Sequence, residues 1–311
     1  MPRIEHPIID TAESVTWKGP LAGTDHTVIR VPDLEVAIPW YQSLLGLVVS
    51  ERFKSKAFLA SPVTGRVILG LSEGGTGLDY VSFRARTAEA FQAIATKLDR
   101  IGAKTSFGAD GSRPGALEAF RVAVPTGHAF EVVHPETDKP WAPVAGEYRP
   151  GSLDVRTSHL QLRTTDVKGM TDFLGVLGFR SSAFVPLQDS DGYLIQFLRV
   201  NEYHHQVAIL TGEAGIHHVA LELDETDFWK LLENLTVTKI AAEYGPLRHH
   251  EGNMLSIYIR DPFGNRLELT SSMDMVGFDY VPVPAGHEFW YHMNMWGPQP
   301  PETWQKEWMG S

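Results

Sequence analysis

One pattern occurs four times along the 311 residues of this chain. "TDHTVIRVPDLEVAIPWYQSLLGL", "LDYVSFRARTAEAFQAIATKL", "SHLQLRTTDVKGMTDFLGVLGF" and "HHVALELDETDFWKLLENL" each run from a short alternating stretch, through a polar break, into an amphipathic helix. Period-two alternation marks a half-buried strand, and apolar residues three and four apart mark a helix. The helical stripe is Phe91, Ile94, Leu98 and Ile101 in the second copy, and Phe228, Leu231, Leu232 and Leu235 in the fourth. Asp33, Asp166 and Asp224 stand at the breaks, where a carboxylate can cap the free amides of a first turn. Shorter apolar stretches with glycine and proline punctuation follow each helix, as antiparallel strands do. Each unit therefore predicts βαβββ. The expected fold class is α+β: four such modules forming two tandem domains with cupped antiparallel or mixed sheets.

Units one and two fill 22–135, a two-module domain, and units three and four fill a second such domain, 157–271. Residues 1–21 form an N-terminal arm. Residues 136–156, rich in proline and glycine, read as a linker. The tail 272–311 holds four of the eight tryptophans. Left in water it would expose a large apolar surface, so it is expected to close a pocket as a lid or to form a subunit contact. A homo-oligomer, dimer or tetramer, is expected.

A hydrophobic content of 43% suits a soluble globular protein. No apolar run approaches the roughly 20 residues of a membrane span, and "MPRIEHPIID" lacks the apolar core of a signal peptide. Without cysteine there is no disulfide framework and no thiolate ligand or nucleophile. A cytoplasmic location is expected, with no membrane partner. The formal charge of -11 would repel nucleic acid.

The turn and strand "DPFGNRLELT" at 261–270 has a blurred echo, "PTGHAFEVVH", at 125–134. Each closes the last module of its own half and carries one glutamate, Glu268 or Glu131. Alternate residues of a strand face opposite sides. In "HHVALEL", Val219, Leu221 and Leu223 share a face with His217 and pack on the helix, leaving His218 on the other face. In "SHLQLRT", Leu160 and Leu162 pack, while His159, Gln161 and Arg163 face away. In "RLELT", Leu267 and Leu269 pack, and Glu268 faces away. His159, His218 and Glu268 thus all lie on the non-packing faces, and if those faces line one cupped sheet the three side chains converge. Two imidazoles and a carboxylate suit a first-row divalent metal with open positions. The same register gives His26, Tyr80 and Glu131 in the first half, a poor metal set and so a degenerate copy without a complete metal site.

In this order, "SHLQLR", "DSDGYLIQFLRVNEYHHQVAIL", "GIHHVALEL", "YGPLRHHEGN" and "IYIRDPFGNRLEL" resemble the type I extradiol ring-cleavage (catechol 2,3-) dioxygenases of the vicinal oxygen chelate superfamily. The resemblance covers nearly all of 22–271, and the tail and loop strings are nearest the homoprotocatechuate 2,3-dioxygenase branch. It implies extradiol cleavage of a catecholic substrate with O2, giving a 2-hydroxymuconic semialdehyde-type product. It also implies a non-haem Fe(II), with Mn(II) as the alternative, held by His159, His218 and Glu268. The family's catalytic positions fall on His205, Tyr258 and His249. Phe197 aligns with an aromatic wall, and Gln161, sharing the face of His159, and Arg248, near the pocket loop, are candidate substrate contacts. His217, His204 and His250 read as structural. The sequence departs from the branch's carboxylate-binding arginines: Tyr244 precedes "GPLRHH", although Arg248 is nearby, and no arginine follows Arg266. A neutral or weakly polar catechol is therefore expected. Two rivals are a metal-dependent isomerase or lyase of the same superfamily, and a non-catalytic small-molecule binding protein.

Overall fold

The computed structural model describes residues 19–108, 113–135, 153–187, 190–284 and 293–309. The expected arm 1–21 and linker 136–156 lie almost wholly outside the described residues, as do residues 285–292 of the tail. The remainder follows the repeat. The first unit is β1 (Leu21–Val31), α1 (Leu34–Leu45), β2 (Val48–Arg52), β3 (Lys56–Ala60) and β4 (Val67–Glu73). The second is β5 (Gly77–Ala85), α2 (Ala88–Arg100), β6 (Thr105–Phe107), β7 (Ala116–Ala123) and β8 (Ala129–Pro135). The third is β9 (Val155–Thr164), α3 (Val167–Val176), β10 (Arg180–Pro186), β11 (Tyr193–Arg199) and β12 (Val207–Thr211). The fourth is β13 (Gly215–Leu223), α4 (Glu225–Thr238), β14 (Ala242–His249), β15 (Leu255–Arg260) and β16 (Arg266–Ser271). The tail adds β17 (Val283–Pro284), β18 (Asn294–Trp296) and α5 (Glu302–Lys306).

Two mixed sheets result, one of eight strands in the order β2-β3-β4-β1-β5-β8-β7-β6 and one of ten in the order β17-β10-β11-β12-β9-β13-β16-β15-β14-β18. Without the two tail strands at its edges, the second sheet repeats the first strand for strand. In both, the leading strands of two units pair antiparallel at the centre, and each pairs in parallel with the last strand of its own unit. The alternation is reproduced on the helix side, where Leu160, Leu162, Val219, Leu221, Leu267 and Leu269 are buried in the common core. The opposite face of the second sheet carries His159, His218 and Glu268 beside a separate apolar cluster on β10, β11 and β12.

Local chemistry sets the helix ends. Asp33 accepts from the amide of Glu35, and Asp166 from that of Gly169. Asp224 also precedes its helix, but its side chain makes no cap bond and its carboxylate pairs with Arg156 at 3.2 Å. Ile101 falls outside the stripe expected of it. The helix stops at Arg100, Gly102 turns the chain with φ +71°, and Ile101 is left 52% exposed.

The "DPFGN" turn joins the two halves. Asp261 Oδ1 accepts from the amides of Phe263 and Asn265, closing the turn on itself. Its other oxygen accepts from Tyr41 in the first half at 3.1 Å. The Asn265 amide donates to the Arg30 carbonyl, and its carbonyl accepts from Gly77 N at 2.7 Å. The "PTGH" turn, by contrast, closes locally, with Gly127 N on Val124 O. No helix among the described residues is long and apolar enough to cross a membrane.

Candidate metal centre

Five neighbouring strands deliver the site. Across the sheet from β9 to β14 they present, in turn, His159, His218, Glu268, Tyr258 and His249. Tyr258 lies directly opposite Glu268 in the β15–β16 register, and Gln161 lies opposite His218. His205, just before β12, enters from the other side, its ring centroid 4.4 Å from that of His159.

Glu268 Oε2 lies 2.8 Å from His159 Nε2 and 3.0 Å from His218 Nε2, and the two nitrogens are 3.4 Å apart. Ligand atoms held at right angles about 2.1 Å from one ion would stand about 3 Å apart. The triangle therefore has the dimensions of one face of an octahedral site. Glu268 Oε1 accepts from Ser256 Oγ at 2.6 Å, whereas the fully buried Oε2 lies close to both imidazoles without a well-directed hydrogen bond. A buried carboxylate oxygen left this way carries a desolvation cost unless a cation meets it. Among the described residues, these three alone form a group of metal-ligating side chains at such spacing.

Burial alone would raise the carboxyl of Glu268, but the His159 imidazole, with contacts from His218 and His249, holds it well below the usual range. Burial pulls His218 down to about 4 against the pull of Glu268. Burial, followed by the neighbouring charges of His159 and His204, keeps His205 well below its ordinary value. Both rings are thus neutral at neutral pH, as a nitrogen ligand and a proton acceptor must be. Burial and then the Glu268 charge push the Tyr258 phenol well above its ordinary value. It is held as a hydroxyl, 2.9 Å from His249 Nε2.

The triad opens onto a cavity of about 530 Å³, which His205, Tyr258, His249, Gln161 and Phe197 also line. Phe197 lies 5.1 Å from the His205 ring and, with Ala183, Val185, Ile195, Ala208 and Leu210, forms an apolar cluster. From the tail come Met293, Gln299, Pro300, Trp304 and Gln305. Arg248 is not brought to the cavity. Its neighbour His249 takes the cavity face, and the Arg248 guanidinium donates to Asn253 at 2.8 Å instead.

The sequence profile of the Glyoxalase/Bleomycin resistance protein/Dioxygenase superfamily matches residues 23–132 and 156–269. The chain belongs to that superfamily. A metapyrocatechase from Pseudomonas sp. is 27% identical over 289 residues, 86% of this chain and 93% of its own. A biphenyl-2,3-diol 1,2-dioxygenase from Sphingomonas paucimobilis is 28% identical over 214 residues, 64% of this chain and 70% of its own. The solved homoprotocatechuate 2,3-dioxygenase of Brevibacterium fuscum, in complex with 3,4-dihydroxyphenylacetate, shares the fold with a TM-score of 0.80 at 24% identity, over 93% of either chain.

The superfamily repeat explains what became of the first half. Arg121 lies opposite Glu131 in the β7–β8 register, as Tyr258 lies opposite Glu268. Its Nε donates to Glu131 Oε2 at 3.0 Å, and its guanidinium lies 3.8 Å from the centroid of the Tyr80 ring. His26 Nε2 is 3.4 Å from the Tyr80 hydroxyl. A covalently attached cation meets the carboxylate here.

Sequence reasoning misplaced His217. Strict alternation sends it to the helix side, but β13 slips register between Ile216 and His218. At a bulge one residue is added and parity inverts, so Ile216 enters the core while His217 and His218 both line the cavity. Burial, then the neighbouring His218, keeps His217 well below its ordinary value. Ser256 was also missed, although it lies two residues before Tyr258 on the same face. The tail's Trp304 carried no period by which to find it.

Proposed function

We propose that this chain cleaves the ring of a catecholic substrate with O2, at the bond beside the two hydroxyl-bearing carbons, yielding a 2-hydroxymuconic semialdehyde-type product. Both oxygen atoms enter the product, so the reaction balances without an external reductant. The observation that carries the reading is the Glu268 Oε2–His159–His218 triangle, open to a cavity bordered by His205 and by the Tyr258–His249 pair. His159, His218 and Glu268 would hold a non-haem Fe(II), with Mn(II) as the alternative. Bound there, such an ion supplies open positions for both reactants and lowers the cost of deprotonating a phenol.

The remaining steps belong to the side chains. His249 Nε2, linked to the Tyr258 hydroxyl, takes up a proton from a catechol hydroxyl, while Tyr258, held protonated, donates to the oxygen left behind. His205 has its Nδ1 3.0 Å from His204 Nδ1, which leaves Nε2 for the cavity. Neutral at rest, it accepts a proton there and returns it as the ring opens. The apolar wall around Phe197 holds the ring and excludes water.

Anaerobic purification with metal analysis, followed by oxygen uptake over a panel of catechols, tests the reading. One ion per chain, uptake equal to catechol consumed and a yellow ring-fission product are expected. Absence of metal binding, or uptake without that product, would overturn it.

A further inference from the structure

Five histidines line the cavity, and the proposed reaction assigns a task to all but His217. Its surroundings fix its hydrogen atoms. Nε2 lies 2.7 Å from the carbonyl oxygen of Trp304, which can only accept, so Nε2 carries the proton. A neutral imidazole has one N–H, so Nδ1 of His217 accepts. The atom facing it, 2.8 Å away, is Nδ1 of His218, which must donate. The His218 proton is thereby committed to Nδ1, and Nε2 turns a lone pair toward Glu268 and His159. The opposite tautomer would aim an N–H into the triad. His159 has no such director, because its Nδ1 faces the hydroxyl of Ser158, which can donate or accept.

The carbonyl that starts this chain is itself fixed. Arg266, fully buried, donates to the backbone carbonyls of Thr303, Glu307 and His217, and is clamped by Glu243 at 2.7 Å on two nitrogens. Met309 N donates to Ile216 O at 2.9 Å, tying the tail to the bulge. The Trp304 ring packs edge-on against His217, with centroids 4.7 Å apart.

We propose that His217 is a positioning residue for the metal: held by the Trp304 carbonyl, it fixes His218 with Nε2 free to ligate, which makes residues 302–309 an outer part of the metal centre. Partners behind a ligating histidine set its orientation and basicity. The inference rests on the reading that His159, His218 and Glu268 hold an ion.

Co(II) is the probe, loaded anaerobically into the full chain, with its visible spectrum and its rate of release to a chelator as readouts. Wild type should bind one ion and Glu268→Gln should not. If wild type binds none, or Glu268→Gln binds equally well, the metal centre fails and the role of His217 with it. With that control passed, His217→Phe should release Co(II) about 10- to 100-fold faster, while His217→Gln, whose amide can both donate to Trp304 and accept from His218, should stay within about threefold of wild type. Release from His217→Phe at the wild-type rate overturns the proposal. So does a His217→Gln protein as leaky as His217→Phe, since the loss would then reflect packing. Should His217→Phe not fold, histidine ¹⁵N spectra of the metal-free wild type decide: His218 as the Nδ1–H tautomer supports the proposal, and His218 as the Nε2–H tautomer refutes it.

Discussion

Ser256 Oγ donates to Glu268 Oε1 at 2.6 Å, so one oxygen of the carboxylate is anchored while the other is presented to the two histidines. Ser256→Ala removes the anchor without touching a proposed ligand. Metal affinity should fall by about 10-fold or more, as for other groups that orient a ligand. Equilibrium competition with a chelator measures this, and unchanged affinity would show that packing alone orients Glu268.

His205→Gln and Tyr258→Phe should separate proton handling from binding. Both side chains are almost fully buried at the cavity, and each substitution keeps most of the volume. Loss of His205 should lower kcat by about 10²- to 10⁴-fold with little change in metal content. Tyr258→Phe should lower kcat less and raise KM, because it removes a donor to the catechol oxygen. Steady-state oxygen uptake gives both constants, and normal turnover by His205→Gln would remove it from the mechanism.

Acid should loosen the tail. Burial alone would raise the Glu243 carboxyl, but the paired Arg266 and Arg260 bring it down from about 4.5 to about 2. A group whose folded value is lowered stabilises the fold above its unfolded value and loses that contribution as pH falls through the folded one. The Glu243 contribution should therefore be whole above about pH 4.5 and fade toward pH 2. In thermal unfolding, wild type should lose more stability than Glu243→Gln between pH 5 and 3. Parallel loss in the two proteins would contradict this.

The N-terminal site should be structural only. Arg121 sits against the fully buried Glu131 at 3.0 Å and keeps 31% of its own surface exposed. Arg121→Ala removes the guanidinium that donates to this buried carboxylate and should cost about 2–3 kcal/mol of stability, tempered by the partial exposure. Metal stoichiometry should not change. Urea unfolding and metal analysis test the two halves of this statement separately.

Substrate charge should matter. Tyr244, whose hydroxyl accepts from Asn294, stacks on Tyr258 with centroids 5.5 Å apart. Among the described lining residues Arg163 carries the one guanidinium, and it is engaged with the Gln305 carbonyl and the Trp308 ring. Among the described lining residues a substrate carboxylate would meet an apolar wall and no cation beyond this arginine, at a cost that should reduce kcat/KM at least about tenfold. Homoprotocatechuate should therefore be a poorer substrate than catechol or alkylcatechols. Preference for homoprotocatechuate would refute the assignment.

Where periodicity held, the sequence carried the answer. Four strand–helix openings predicted the two sheets, and alternation in "SHLQLRT", "HHVALEL" and "RLELT" sufficed to bring His159, His218 and Glu268 together. Where the period slipped, as at the β13 bulge, counting sent His217 to the wrong face. Arg248 was proposed from proximity in sequence, and adjacency in a strand is the condition under which two side chains diverge. The contribution of Trp304 depends on a tail folding back across the sheet, a long-range contact without a local signature.

The arginine beside Glu131 has a consequence for how the molecule comes into being. A counter-charge supplied by the polypeptide is present from synthesis, and neither chelation nor oxidation can take it away. The N-terminal half can therefore complete its interior whatever the cell's metal supply, and the Asp261–Asn265 turn ties it to the half that carries the proposed metal site.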